Sequence, residues 1–202
     1  MSQPIEHKTL QSKAIVALGA NDILEPDALL ARLQKVTKDI ESSNVRVMSV
    51  SGFYQTPCFP AGAGPDFVNA VMVVETDFSP QELLIYLHSI ESDYGRERII
   101  RWGMRPLDLD LIAFDDQILP NLDVFEHWSN LALDDQMVLS PDELILPHPR
   151  IQDRAFVLVP MCDVASDWGH PVLGKTAKEL CGQLPEADCA EIKSMIGPNI
   201  RL

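Results

Sequence analysis

Residues 45–76 read VRVMSVSGFYQTPCFPAGAGPDFVNAVMVVET, two β-rich runs either side of a loop with no helical segment between them. Val45 to Gln55 alternates and is rich in Val, Phe and Tyr, which predicts a half-buried strand. Pro57 to Pro65 holds three prolines and two glycines in nine positions and must be a loop. Phe67 to Thr76 is β-rich again, so the two runs are expected to pair as consecutive strands across that loop.

On the N-terminal side, Ala14-Ile15-Val16-Ala17-Leu18 is an apolar run ended by Gly19, which predicts a buried strand. Asp27 then stands as a helix N-cap before Leu29, Leu30, Leu33, Val36 and Ile40, which follow a helical period. On the C-terminal side, Ser79-Pro80-Gln81-Glu82 is a capping box with proline at the first helical position. Leu83, Leu84, Leu87 and Ile90 share one face, and Gly95 is the stop. Leu107 to Phe114 is a further strand. The order is therefore β-α-β-β-α-β. This pattern predicts an α+β protein with a ferredoxin-like split core and helices on one face of a mainly antiparallel sheet.

Beyond that core, residues 115–142 form a long acidic connection or insertion. Arg154 to Val164 and Lys175 to Gln183 read as helices. The expected layout is a disordered tail over 1–12, a catalytic domain over 13–170 and an appendage over 171–202.

A chain of 202 residues that is 46% hydrophobic and 23% charged suits a soluble globular domain. Its net charge of −14 argues against general nucleic-acid binding. The same charge means that an anionic substrate needs a local basic cluster. Cys58, Cys162, Cys181 and Cys189 form no CxxC pair and no zinc-ligand spacing, so they read as reduced thiols. The first thirteen residues lack the apolar core of a signal peptide, and Ala14 to Ala20 is too short to span a bilayer. A cytoplasmic protein without membrane partners is expected.

Four groups of residues carry the chemistry. Asp108 and Asp110 sit at i and i+2 of a strand, side by side on one face. Paired carboxylates are costly to keep ionised without a cation, and hard oxygen donors suit Mg²⁺. Alone, the pair also fits a solvated strand face. Just upstream, Arg96, Arg98, Arg101 and Arg105 fall within ten residues, a quarter of the chain's sixteen Lys and Arg. Guanidinium forks match phosphate oxygens, so the two groups together point to metal-assisted phosphoryl transfer. His148, fixed between Pro147 and Pro149, reads as a phosphate contact or as a structural turn histidine. Phe67 and Asn69 share a strand face, where they would stack on and hydrogen-bond a flat heterocycle, or serve as a core ring and a turn cap.

Several stretches occur together in one known family. They are Ala17-Leu18-Gly19-Ala20-Asn21, Phe53-Tyr54-Gln55-Thr56-Pro57, Asp66-Phe67-Val68-Asn69-Ala70 and Gly95-Arg96-Glu97-Arg98. Arg101-Trp102-Gly103-Met104-Arg105-Pro106-Leu107-Asp108-Leu109-Asp110 follows, then Leu146-Pro147-His148-Pro149-Arg150 and Arg154-Ala155-Phe156-Val157-Leu158. Over about residues 14–165 the chain resembles the 6-hydroxymethyl-7,8-dihydropterin pyrophosphokinases.

The resemblance implies a three-layer sandwich with extra strands and C-terminal helices. It implies transfer of pyrophosphate from ATP to the pterin hydroxymethyl group, releasing AMP, in tetrahydrofolate biosynthesis. Two Mg²⁺ ions would be held by Asp108 and Asp110. Arg96 and Arg105 would act in catalysis alongside that pair. Thr56, Phe67, Asn69 and Phe156 would bind the pterin, with the two rings sandwiching it. Arg98, Trp102, His148 and Arg154 would contact the nucleotide, and Glu91 would lie close by. The partners implied are ATP and the pterin, with the protein acting as a monomer. Ala20, His88, Met104, Pro106 and Glu143 depart from the family's usual residues. The competing expectation is an inactive homologue that binds pterin or nucleotide, or serves a partner. An unrelated nucleotidyltransferase fits less well, because its Gly-Ser turn is replaced here by arginines.

Overall fold

A computed structural model describes residues 12–22, 24–58, 64–96, 105–132, 135 and 138–198. Its elements are β1 (Ser12–Asn21), α1 (Pro26–Asp39), β2 (Val45–Val50), β3 (Phe53–Thr56), β4 (Phe67–Thr76), α2 (Pro80–Asp93) and β5 (Arg105–Phe114). These are followed by α3 (Leu122–Ser129), α4 (Ala155–Ala165), α5 (Ala177–Cys181), α6 (Glu186–Ala190) and β6 (Lys193–Ile196). One six-stranded sheet runs β5-β1-β4-β3-β6, with β2 also on β4. Every pairing is antiparallel.

β1 runs on through Gly19 to Asn21 rather than stopping at the glycine, because it is paired on both edges, with β4 and β5. Its alternation divides two cores. Ala14, Val16, Leu18 and Ala20 pack with Leu29 and Leu33 of α1 and Leu83 and Leu87 of α2. Ile15 and Ala17 pack with Val157, Leu158 and Met161 of α4 and Leu180 of α5. Helices therefore cover both faces of the sheet, as a three-layer sandwich has them and unlike the one covered face read from the element order. An unbroken apolar run is what a strand buried on both faces requires, and β1 supplies it.

The run from Val45 to Gln55 is two strands rather than one. Ser51 leaves the ladder to bond Val71, donating its amide to the carbonyl at 2.8 Å and accepting the Val71 amide on Oγ at 2.9 Å. At Gly52 an added Cβ would lie 2.7 Å from the Ile196 carbonyl of β6, so a side chain is excluded where β6 crosses. The α1 cap also differs from expectation. Glu25 occupies the cap and Pro26 opens the helix, while Asp27 lies in the first turn, where its charge favours the helix dipole. The Ser79 capping box and the Gly95 stop, with φ 82°, form as read.

In the acidic connection, Asn121 caps α3 by accepting the Val124 amide at 3.0 Å, and Phe125 is buried. Leu119 and Leu146 exchange backbone bonds of 2.9 and 3.1 Å that close the excursion. Past residue 170, β6 pairs with β3, which joins the chain's last described strand to the sheet.

His170 ties these parts together. It is 1% exposed, and its ring packs against Phe125 and Trp168. Its Nδ1 accepts the amides of Val172 and Leu173, each at 3.2 Å. Burial pushes the imidazole down to about 4. The unfolded chain therefore binds a proton between pH 6.5 and 4 that the folded chain refuses, and stability falls as pH drops through that window. The loss from His170 is about 3 kcal/mol. Urea unfolding at steps from pH 7.5 to 4.5 should show the decline, and His170→Gln should flatten it to the part left by His148.

Candidate active site

β5 is a sheet edge, so its outward amides need partners from elsewhere. The carboxylate of Glu91, in the last turn of α2 and 1% exposed, accepts the Leu109 amide at 2.7 Å. The same oxygen pairs with Arg96. Arg96 Nη1 also lies 2.5 Å from Asp108 Oδ1. That contact is an ion pair without hydrogen-bond geometry, so Oδ1 is buried with no hydrogen bond. The other Asp108 oxygen accepts a hydrogen bond of 2.6 Å from Arg105. Burial opposes the Arg105 charge, yet Asp108, Asp110 and Glu91 together hold the guanidinium above its ordinary value.

Leu107 and Leu109 point into the α1/α2 core. Strand alternation thus places Asp108 and Asp110 on the opposite face, as the i, i+2 spacing predicts. Asp108 is 14% exposed and Asp110 40%. Arg154, just before α4, reaches Asp110 at 3.6 Å and lies 5.6 Å over the ring of Phe156. That ring is 38% exposed, an aromatic surface left open to solvent.

The sheet register continues the site sideways, because Tyr54, Asn69, Gly19 and Asp108 stand in one cross-strand row. Asn69 is buried and donates from Nδ2 to Thr56 Oγ1 at 2.7 Å. A Cβ on Gly19 would lie 2.7 Å from Asn69 Oδ1 and 3.8 Å from the Phe67 ring. Phe67 and Asn69 therefore do share a face, and the bare Gly19 backbone is what lets the carboxamide lie across β1.

His148 donates its amide to the Ile112 carbonyl at 2.7 Å. Its Nδ1 accepts the Arg150 amide at 3.2 Å, so the ring proton sits on Nε2. Burial first, then the charges of Arg154 and Arg150, hold this imidazole well below its usual range. It is a neutral Nε2–H donor at neutral pH.

The structure thus brings together Arg96, Arg105, Asp108, Asp110, Glu91 and Arg154, with His148 within electrostatic range of Arg154 and Asp108. Thr56, Phe67 and Asn69 adjoin them through Gly19. Arg98 and Trp102 lie outside the described residues. Two contributors were not singled out from sequence. Asn21 accepts the Arg105 amide on Oδ1 at 2.8 Å and donates to the Pro65 carbonyl at 3.4 Å, bracing the ends of two loops. A polar side chain closing an apolar strand was its signal. Asp163 of α4 accepts from Tyr54 Oη at 2.8 Å and from the Gly52 amide at 2.9 Å, and steadies β3 from behind. A hollow of 480 Å³ lined by Lys13, Ile15, Asp115 and Trp168 lies apart, at the opposite ends of β1 and β5. Among the described residues, no helix is long and apolar enough to cross a membrane.

The candidate site is thus an edge strand whose paired carboxylates face three arginines. Residues 15–166 match the family model described as 7,8-dihydro-6-hydroxymethylpterin-pyrophosphokinase (HPPK), and the chain belongs to that family. It is 36% identical over 177 residues to the 2-amino-4-hydroxy-6-hydroxymethyldihydropteridine pyrophosphokinase of Pseudomonas aeruginosa, covering 86% of this chain and 92% of the relative. With the Haemophilus influenzae protein of the same name it shares 34% over 154 residues, 76% of this chain and 82% of that one. The fold is also that of a solved wild-type Plasmodium falciparum HPPK-DHPS chain, with TM-score 0.59 and 16% identity. That match covers 85% of this chain but only 41% of the longer one.

Proposed function

We propose that this protein transfers pyrophosphate from ATP to the hydroxymethyl group of 6-hydroxymethyl-7,8-dihydropterin and releases AMP. The observation that carries the reading is the Asp108–Asp110 pair set among Arg96, Arg105 and Arg154, with β1 between it and the Asn69–Thr56 pair. The inactive-homologue alternative is not favoured, since both carboxylates are present and the relatives are named as pyrophosphokinases. Activity as a monomer is part of the proposal. The order β5-β1-β4-β3 with two crossing helices supports the ferredoxin-like description. Residues 13–170 are read as the catalytic part and 171–202 as an appendage, of which β6 braces β3.

The residues fit Mg²⁺. Among the described residues there is no cluster of three or more His, Cys, Asp or Glu to cage an ion, and Mg²⁺ commonly takes two carboxylates with the rest from phosphates and water. The Asp108 oxygen without a hydrogen bond and the more open Asp110 are the donors for two such ions. Bound there, Mg²⁺ supplies charge neutralisation to the triphosphate.

The chain's own groups do the positioning. Arg96 and Arg105 already rest on a carboxylate and can turn their forks to phosphate oxygens. Arg154 and the neutral His148 Nε2–H add donors that need no proton change. Arg98 and Trp102 are assigned to the nucleotide by family likeness. Asn69 spends Nδ2 on Thr56, which leaves Oδ1 to accept an N–H from the pterin edge. Phe67 and Phe156 supply the flanking aromatic surfaces. Positioning and electrostatics account for most of the rate in such transfers.

Purified protein with ATP, Mg²⁺ and the pterin, with AMP and ADP separated, tests the reading. Pterin-dependent AMP that vanishes with EDTA supports it. Absence of AMP with both ligands bound sinks it and revives the binding-protein alternative. Gly19→Ala gives a sharper check of the pterin face, because its methyl collides with the Asn69 carboxamide. It should weaken pterin binding by about 10–100-fold, from a steric cost of roughly 1–3 kcal/mol. Nucleotide binding measured by calorimetry should hold.

A further inference from the structure

Three of the cysteines belong to neighbouring helices of the C-terminal layer. Cys162 lies in α4, Cys181 ends α5 and Cys189 lies in α6. Each is half-buried, and none is in a disulfide. α5 and α6 both pack on α4. The Cys181 side chain is in contact with Cys162 on one side and with Cys189 on the other. Cys58 is separate, buried in its own loop with its thiol on the Gly64 carbonyl at 3.0 Å. Among the described residues no group of three or more His, Cys, Asp or Glu is arranged to hold a metal, so this cluster is not an ion site. Pyrophosphoryl transfer makes no use of it.

We propose that Cys181 is the central thiol of a disulfide-forming site, oxidised against Cys162 or Cys189 by a small-molecule disulfide. The Cys181 thiolate attacks one sulfur of the reagent RSSR, whose S–S bond breaks. RS⁻ leaves and takes up the proton that Cys181 lost. The neighbouring thiol, deprotonated in turn, attacks the Cys181 sulfur of the mixed disulfide and expels the second RS⁻, which is protonated. Two protein thiols are oxidised and one RSSR is reduced to two RSH. Burial first, then Cys162, pushes the Cys181 thiol up to about 11, so little thiolate is present at neutral pH. The site is therefore slow when neutral and quickens as pH rises.

The bond has a structural consequence. Asp163, next to Cys162, holds Tyr54 and Gly52, and β6 just after α6 lies on β3. A Cys162–Cys181 bond fastens the C-terminal segment to the helix that steadies β3. A Cys181–Cys189 bond fastens that segment to itself.

The test uses the full reduced chain incubated with oxidised glutathione, followed by non-reducing mass spectrometry and peptide mapping. The expected product has lost two thiol hydrogens and links Cys181 to Cys162 or Cys189. Its rate should rise about tenfold per pH unit between pH 7 and 9. Cys162→Ser and Cys189→Ser should each still form the remaining link, and Cys181→Ser should form neither. Circular dichroism checks that the variants fold; if Cys181→Ser does not, mapping of the other two decides. Four free thiols, glutathione adducts alone, or a link that omits Cys181 would overturn the assignment. No outcome depends on turnover, so the proposal fails or stands separately from the enzymatic reading.

Discussion

Asp110→Asn lowers kcat by about 10²–10³-fold, the range seen when one electrostatic group is taken from a reacting centre. Asparagine keeps the size and one oxygen, so the β5 backbone and its neighbours should stay in place. What goes is the negative charge. Asp110 is the more open of the two carboxylates, and its described ion partner is Arg154 at 3.6 Å, looser than the contacts of Asp108. It is therefore the oxygen donor freer to take a cation with its phosphates. The proposed pterin face, at Asn69 on β4 and Thr56 on β3, is separated from Asp110 by β1. Pterin affinity should change by less than about threefold, because uniform binding and transition-state binding separate in this way. Rapid-quench turnover beside pterin titration measures both. Turnover equal to the parent protein would remove Asp110 from the chemistry.

Arg96→Ala carries the largest expected loss of stability, about 3–5 kcal/mol, the usual cost of stripping one partner from a buried ion pair. Arg96 stands between two carboxylates, Glu91 and Asp108, and Glu91 is almost wholly buried. Without the guanidinium, Glu91 keeps the Leu109 amide and loses its ion pair with Arg96. Asp108 keeps Arg105. The two carboxylates then also repel each other across the space the guanidinium filled. Urea unfolding at neutral pH should show the loss, and Arg96→Lys should recover only part of it, since an ammonium is more strongly hydrated than a guanidinium and loses more on burial between the two acids. A midpoint unchanged from the parent chain would show that solvent reaches Glu91 freely.

Most of the element order was legible before folding. The Ser79 capping box, the Gly95 stop and the strand of Phe67 to Thr76 depend on neighbours a few residues away, and the sequence displays those directly. The Asp108–Asp110 pair was legible for the same reason, since strand alternation alone puts both on one face. Apart from the α1 cap, two residues from its expected place, errors came where distant chain decided the outcome. Gly19 looked like a strand end, but it is a mid-strand gap for the Asn69 side chain. Ser51-Gly52 looked like ordinary strand, but it is a break shaped by β6, well over a hundred residues later.

By itself, then, the sequence determined the residue types of the site, the order of helices and strands and the kinship with the pyrophosphokinases. Each of these rests on local spacing or on motifs contiguous in the chain. Only the tertiary structure decided which helices pack on which face of the sheet, that Glu91 caps the β5 edge, that Asn21 braces two loops and that three thiols gather where α5 and α6 pack on α4. Those outcomes depend on which distant surfaces exclude water together and which buried polar groups remain to be paired, and no run of neighbouring residues encodes that alone.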